Sequence, residues 1–195
     1  EIAVSQEGNY LKKPLIAMSQ ILCLDGDRSG NFVRIGNAIR EAKEKNARLV
    51  VFPESAILGW ENTEAHTRAF PIPGEDSDRL SRLAAQYGVF LCIGLDEKES
   101  DRLYDSAILI DDQGQILLKH RKVNVLPELM DPPYSSGNME VKTAETKFGK
   151  IGMLICADAF VDSLVNLMTA QRPDLLLIPF GWAAPEAAWP QHGKS

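Results

Sequence analysis

The sequence predicts an α/β domain built around mixed sheets. Three observations carry that expectation. Short runs that are apolar on both faces, "LVVF" and "VFLCIGL" among them, alternate with stretches of helical period. That is the pattern of strands covered by helices. Two later segments read as hairpins, which add antiparallel pairs to the sheet. With 195 residues, 45% of them hydrophobic, the chain is long enough for one domain with a sizeable core.

"LIAMSQILCL" (15–24) reads as the first strand. "GDRSGNF" follows as a turn leading into a helix. Across 31–46, Phe32, Ile35, Ala38, Ile39 and Ala42 fall on one helical stripe, with charges opposite. "ARLVVFPE" (47–54) is a short buried strand. In 74–88, acids occupy the first turn of a second helix and a glycine closes it. "VFLCIGLDE" (89–97) is a strand again. "LYDSAILIDDQGQILLKHRK" (103–122) reads as two strands joined at Gln113-Gly114.

A polar stretch with Pro127, Pro132, Pro133, Gly137 and Asn138 then reads as a long loop. "VKTAETKFGKIGMLICAD" supplies a second hairpin, "VDSLVNLMTAQ" (161–171) a helix, and "PDLLLIPFGW" (173–182) a last strand. Residues 1–14 read as an N-terminal extension and 15–195 as one domain. The tail "AAPEAAWPQHGKS" leads towards further elements, so the domain is expected to be incomplete at its C-terminal end.

Composition narrows the function classes. The formal net charge is −6 and there is no basic block, so neither nucleic acid nor an anionic membrane surface is an expected partner. No apolar stretch approaches the length of a membrane span. Cys23, Cys92 and Cys156 cannot all pair within one chain, which favours a reducing, cytoplasmic setting. The first residues lack the apolar core of a signal peptide, though the chain begins at Glu1 without a methionine, which leaves export open. There is no C-x-x-C, and His66, His120 and His192 are scattered, so no metal site is expected.

Ligand sites of α/β sheets form beyond the carboxyl ends of strands. Three apolar strands of this chain end in reactive groups. "LVVFPE" ends at Glu54, "QILLKHRK" at Lys122 and "IGMLIC" at Cys156. A thiol needs a base or a positive neighbour to act as a nucleophile. Glu54 supplies the first, and an amine the second. Lys119 competes with Lys122 for that role. Alternation puts Lys119 and Arg121 on one face and His120 and Lys122 on the other, which favours Lys122 as the inward lysine. The N–H of Ala157, one residue past the sulfur, is a natural second donor to a developing oxyanion.

"LVVFPESAILGW", "KHRKVNVLP" and "KIGMLICADAF", in that order, resemble the three signature segments of the nitrilase, or carbon–nitrogen hydrolase, superfamily. The likeness runs from about Leu15 to Trp182. It implies an α-β-β-α sandwich, usually dimeric, with no metal or organic cofactor. It makes Glu54 the general base, Lys122 the transition-state stabiliser and Cys156 the nucleophile of amide hydrolysis through a thioester. It also implies a second glutamate that orients substrate, for which Glu128 is the candidate, ahead of Glu140 and Glu145. Nitrile-hydrolysing members usually carry Trp-Glu after the cysteine. Ala157 and Asp158 stand there in this chain, closer to the amide- and carbamoyl-cleaving branches.

Tyr134, Trp182, Trp60 and Phe160 are expected at the pocket wall, and Asp158 either caps the following helix or meets substrate. Cys23 and Cys92 read as core thiols. The terminal "GKS" lacks the first glycine of a phosphate-binding loop, since Ala188 stands there, and no G-x-S-x-G elbow occurs.

Overall fold

Alternation along the strands sorts the side chains into two cores, and these define four layers. The computed structural model describes residues 14–181. Among them, β1 (Ile16–Met18), β2 (Leu49–Val51), β3 (Phe90–Glu99), β4 (Arg102–Ile110) and β5 (Ile116–Arg121) form one sheet in sequence order. β1, β2 and β3 are parallel, whereas β3–β4 and β4–β5 are antiparallel. β6 (Thr143–Thr146), β7 (Gly149–Met153) and β8 (Leu175–Leu177) form a second sheet, with β6 antiparallel and β8 parallel to β7.

On one face of the first sheet, Val50, Leu91, Ile93, Ile108 and Ile110 pack against Phe32, Ile35 and Ile39 of α1 (Arg28–Glu44) and Leu80 and Ala84 of α3 (Glu75–Tyr87). Intervening residues Leu49, Phe90, Cys92, Ala107, Leu109 and Leu118 point the other way. They meet Ile151, Met153 and Leu177 of the second sheet. On the far side of that sheet, Met168 of α4 (Asp162–Gln171) lies over Gly152, where a Cβ would collide with its sulfur. The result is the expected α-β-β-α sandwich with mixed sheets. Burying each core aliphatic side chain removes enough apolar surface to contribute about 1.5–3 kcal/mol.

The helix ends follow local chemistry. Asp27 caps α1 by accepting the Gly30 N–H at 3.0 Å. Glu75, Asp76 and Asp78 sit at the positive end of α3, and Gly88 closes it at φ 59°. Arg28 reaches across to Asp76 at 3.0 Å and ties α1 to α3.

Three expectations need correction. The first strand covers Ile16–Met18 rather than 15–24: Ser19 makes the last bond to Val51, after which the chain leaves the sheet. The last strand is confined to Leu175–Leu177, although Cys156 N–H still reaches the Pro179 carbonyl at 3.0 Å. α1 starts at Arg28, just after its aspartate cap and three residues before the expected 31. A four-residue helix, α2 (Ala65–Arg68), is too short to show a period in the sequence. Residues 1–13, most of the N-terminal extension, lie outside the described residues.

Candidate active site

β2, β5, β7 and the segment after β8 all run out at the same end of the sandwich. Glu54 follows β2 and is 2% exposed. Its loop lies directly on β3: Gly94 N–H donates to the Pro53 carbonyl and Ala56 N–H to the Gly94 carbonyl, each at 3.0 Å. A Cβ at Gly94 would stand 2.8 Å from the Ser55 nitrogen and nearer still to Glu54 Cα. Only glycine leaves room for the acid there. The next residue, Ser55, is forced to φ 44°.

Lys122 follows β5 and is 1% exposed. The pairing follows the alternation along β5. Lys119 and Arg121 go to Glu97 at 2.5 and 2.7 Å, on the outward side. His120 and Lys122 turn inward, His120 to Asp158 and Lys122 to Glu54. Lys122 Nζ contacts Glu54 Oε1 and lies 3.3 Å from Asp105 Oδ2. Glu54 Oε2 accepts the Gly181 N–H at 2.8 Å. Burial alone would lower the lysine's pKa, but Asp105 and Glu54 outweigh it and hold the ammonium charged well beyond its ordinary range.

Cys156 opens a one-turn 3-10 helix (Cys156–Phe160) after β7. Its φ is 41°, in the left-handed region that a side chain occupies at a cost of about 1–3 kcal/mol. That turn lifts the sulfur off the strand axis and leaves it 3.9 Å from the Gly181 carbonyl. Gly181 therefore touches both the acid and the thiol. Burial, then the Glu54 carboxylate facing it, push the thiol up to about 12, with Lys122 pulling the other way. The resting sulfur is a neutral thiol that needs its proton removed at the moment of attack.

The structure brings Glu54, Lys122 and Cys156 together and distributes the other candidates differently. Ala157 is buried beside the sulfur, and its carbonyl accepts from Asn124 Nδ2 at 3.1 Å. Trp60 borders the site, its ring centroid 5.9 Å from Lys122 Nζ. Tyr134 is 5% exposed within the helix-side core, and its hydroxyl donates to Asp96 at 2.7 Å, so it is a packing residue whose polar end is already engaged. Glu128 is exposed on the loop after Lys122. Its charge, after burial and with that of Glu54, helps raise the carboxyl of Glu61, next to Trp60. Phe160 is exposed and stacks edge-on with Phe180. Trp182 lies outside the described residues. Cys92 is buried between the sheets, and Cys23 is half-buried with its thiol aimed at the Ser55 carbonyl at 3.7 Å.

Two residues were not singled out for the roles they play. Asp158 is fully buried and does not cap α4, although its Oδ2 also accepts the Ile155 N–H at the start of its own 3-10 turn at 3.4 Å. Its Oδ1 accepts the N–H groups of Val123 and Asn124 at 3.0 and 2.8 Å, and its Oδ2 accepts from His120 at 2.8 Å. It thereby fastens the chain just past Lys122 to the turn that carries Cys156. Asp158→Ala is expected to cost about 3–5 kcal/mol, because two backbone donors and a buried histidine lose their acceptor. A urea titration checks this, and a loss below about 1 kcal/mol would contradict the fastening role. The other unanticipated residue is Asp105, fully buried against Lys122. Among the described residues no cluster of three or more His, Cys, Asp or Glu side chains is arranged to hold a metal ion, and no helix is long and apolar enough to cross a membrane.

Comparison with known proteins places this chain in a family. The omega-amidase NIT2 of Xenopus tropicalis is 31% identical over 179 residues, covering 83% of this chain and 62% of that protein. A bifunctional nitrilase/nitrile hydratase of Nicotiana tabacum is 29% identical over 175 residues, covering 78% of this chain and 49% of that one. The chain thus spans half to about three fifths of the length of these relatives. An amidase from Nesterenkonia sp. superposes with a TM-score of 0.79 at 22% identity, covering 90% of this chain and 67% of the amidase. A variant of that amidase, matched with a TM-score of 0.79 at 22% identity over 90% of this chain and 68% of its own, carries the acetamide moiety of fluoroacetamide on its active-site cysteine. The family profile described as carbon-nitrogen hydrolase matches residues 15–194. With that match over nearly its whole length, the chain belongs to the carbon-nitrogen hydrolase family of the nitrilase superfamily.

Proposed function

We propose that this chain carries the catalytic centre of a cysteine-dependent amidase that converts a small linear amide to the acid plus ammonia or an amine. The observation that carries the reading is the buried contact of Lys122 with Glu54 beside the Cys156 thiol. In the first half-reaction Cys156 Sγ attacks the amide carbonyl carbon while Glu54 takes the thiol proton. Negative charge moves to the carbonyl oxygen, where the Lys122 ammonium and the Ala157 N–H hold it. One such preorganised donor typically contributes about 3–4 kcal/mol to the barrier. Glu54 then protonates the nitrogen, the C–N bond breaks, and a thioester remains. In the second half a water gives its proton to Glu54 and attacks the thioester carbon. The C–S bond breaks, the sulfur regains a proton and the acid leaves.

Ala157 and Asp158 after the cysteine favour amide over nitrile chemistry. Nitrile hydrolysis is the second reading, because curated relatives of similar identity are nitrilases. The substrate is a small molecule, and the active assembly is a homo-oligomer with no organic cofactor. Ammonia release from matched panels of primary amides, nitriles and N-carbamoyl compounds tests the proposal. Turnover confined to the amides supports it. Turnover confined to the nitriles or the N-carbamoyl compounds replaces it.

A further inference from the structure

Asp105 lies in the middle of β4, directly opposite Asp96 of β3 in the antiparallel register, and is completely buried. Its backbone carbonyl accepts the Lys122 N–H at 2.8 Å, and its Oδ2 stands 3.3 Å from Lys122 Nζ. Apart from that ammonium, neither of its carboxyl oxygens has a partner among the described residues. A buried carboxylate so poorly supplied with donors is costly. Charge counting adds to the difficulty. One ammonium sits against two acids, Glu54 and Asp105, with Asp96 and the Tyr134 hydroxyl close behind. Two full negative charges around one lysine would leave a net charge among side chains that are almost fully buried. A single proton on Asp105 resolves both problems, since its O–H becomes a donor towards Glu54, and one anion then balances one cation.

We propose that Asp105 is a positioning residue of this site, a neutral carboxylic acid that holds Lys122 from one side and donates to Glu54, the base. This rests on the roles proposed above for Glu54 and Lys122. Burial and the Glu54 charge both drive the Asp105 carboxyl well above the usual carboxylate range, which agrees with the geometry. Asp96, pushed up to about 7 chiefly by burial, adds further opposition to a second anion.

The rate of Cys156 alkylation by iodoacetamide against pH tests the proposal without a known substrate, with peptide mapping to separate Cys156 from Cys23 and Cys92. At pH 7 Asp105→Asn should match the parent within about twofold, because a neutral amide replaces a neutral acid. At higher pH the parent should fall behind the variant by up to about tenfold, as Asp105 ionises and opposes the thiolate; one pKa unit corresponds to that factor. Asp105→Leu, which cannot hold Lys122, should react about tenfold more slowly than the parent at pH 7. An Asn variant already fivefold or more faster at pH 7 would mean that Asp105 is ionised, and would overturn the proposal. A Leu variant that tracks the parent throughout would also overturn it. Glu54→Gln in the same assay should accelerate alkylation. If it does not, the role given to Glu54 fails, whereas the Asn comparison still reports the charge of Asp105.

Discussion

Replacing Cys156 by alanine is expected to abolish amide turnover, with a loss on the order of 10⁶-fold, the scale seen when a covalent nucleophile is deleted from a hydrolase. The sulfur forms the bond that turns one hard step into two easier ones, and among the described residues neither of the other two thiols stands beside Glu54 and Lys122. Cys23 is aimed at the Ser55 carbonyl and Cys92 is sealed between the sheets. The variant should fold normally. Alanine keeps the backbone at φ 41° with no greater steric burden, and the Lys122–Glu54 contact does not depend on the sulfur. Melting temperature and ammonia release measured on the same preparation separate the two effects. A well-folded alanine variant that still releases ammonia at the parent rate would dismiss Cys156 as the nucleophile.

Glu54→Gln is expected to move two observables in opposite directions. Turnover should fall by about 10²–10⁴-fold, because the amide cannot take the thiol proton, protonate the leaving nitrogen or activate the water. Thiol reactivity should rise. The sulfur is held at about 12 by burial and then by the Glu54 charge, while Lys122 pulls it down. Removing the negative charge leaves the ammonium as the dominant neighbour, so the thiol pKa falls and more thiolate is present at a given pH. A drop of one unit or more gives at least about tenfold faster alkylation by iodoacetamide near neutral pH. A purely structural glutamate would lower both turnover and reactivity by loosening the site. Only a base that also opposes the resting thiolate splits them. Turnover within a few fold of the parent would contradict its role as the base.

Much of this site was legible because its chemistry sits where apolar runs stop. "LVVFPE" and "IGMLIC" announce their terminal acid and thiol, and period-2 alternation in "KHRK" picks out the lysine that turns inward. The two-core sandwich follows from the same period, since Leu49 and Val50, or Phe90 and Leu91, part to opposite faces. What was hidden depends on pairing across the fold. Asp105 in "RLYDSAILI" looks like an outward polar position. Its burial comes from the β3–β4 register and from a lysine seventeen positions on, neither of which a single strand reveals. Asp158 resembles a local cap and does accept the Ile155 N–H, yet its shortest backbone bonds come from N–H groups 34 and 35 residues away. Tyr134 sits in a Pro-rich polar loop and was expected at a pocket wall. The loop instead folds it back over β3, where Asp96 takes its hydroxyl. β1 is shorter than the apolar run 15–24, because apolar residues there continue past the last ladder bond: Leu22 is 70% and Leu24 44% exposed.

The most direct test of the central claim is to look for the covalent intermediate. The parent chain would be mixed with the best amide from the panel, quenched in acid within the first turnovers and mapped by peptide mass spectrometry. The account predicts one acyl group, bound as a thioester, on the peptide that carries Cys156, and none on Cys23 or Cys92. Ammonia release without any acyl group on Cys156, or acylation of another residue that follows turnover, would contradict it.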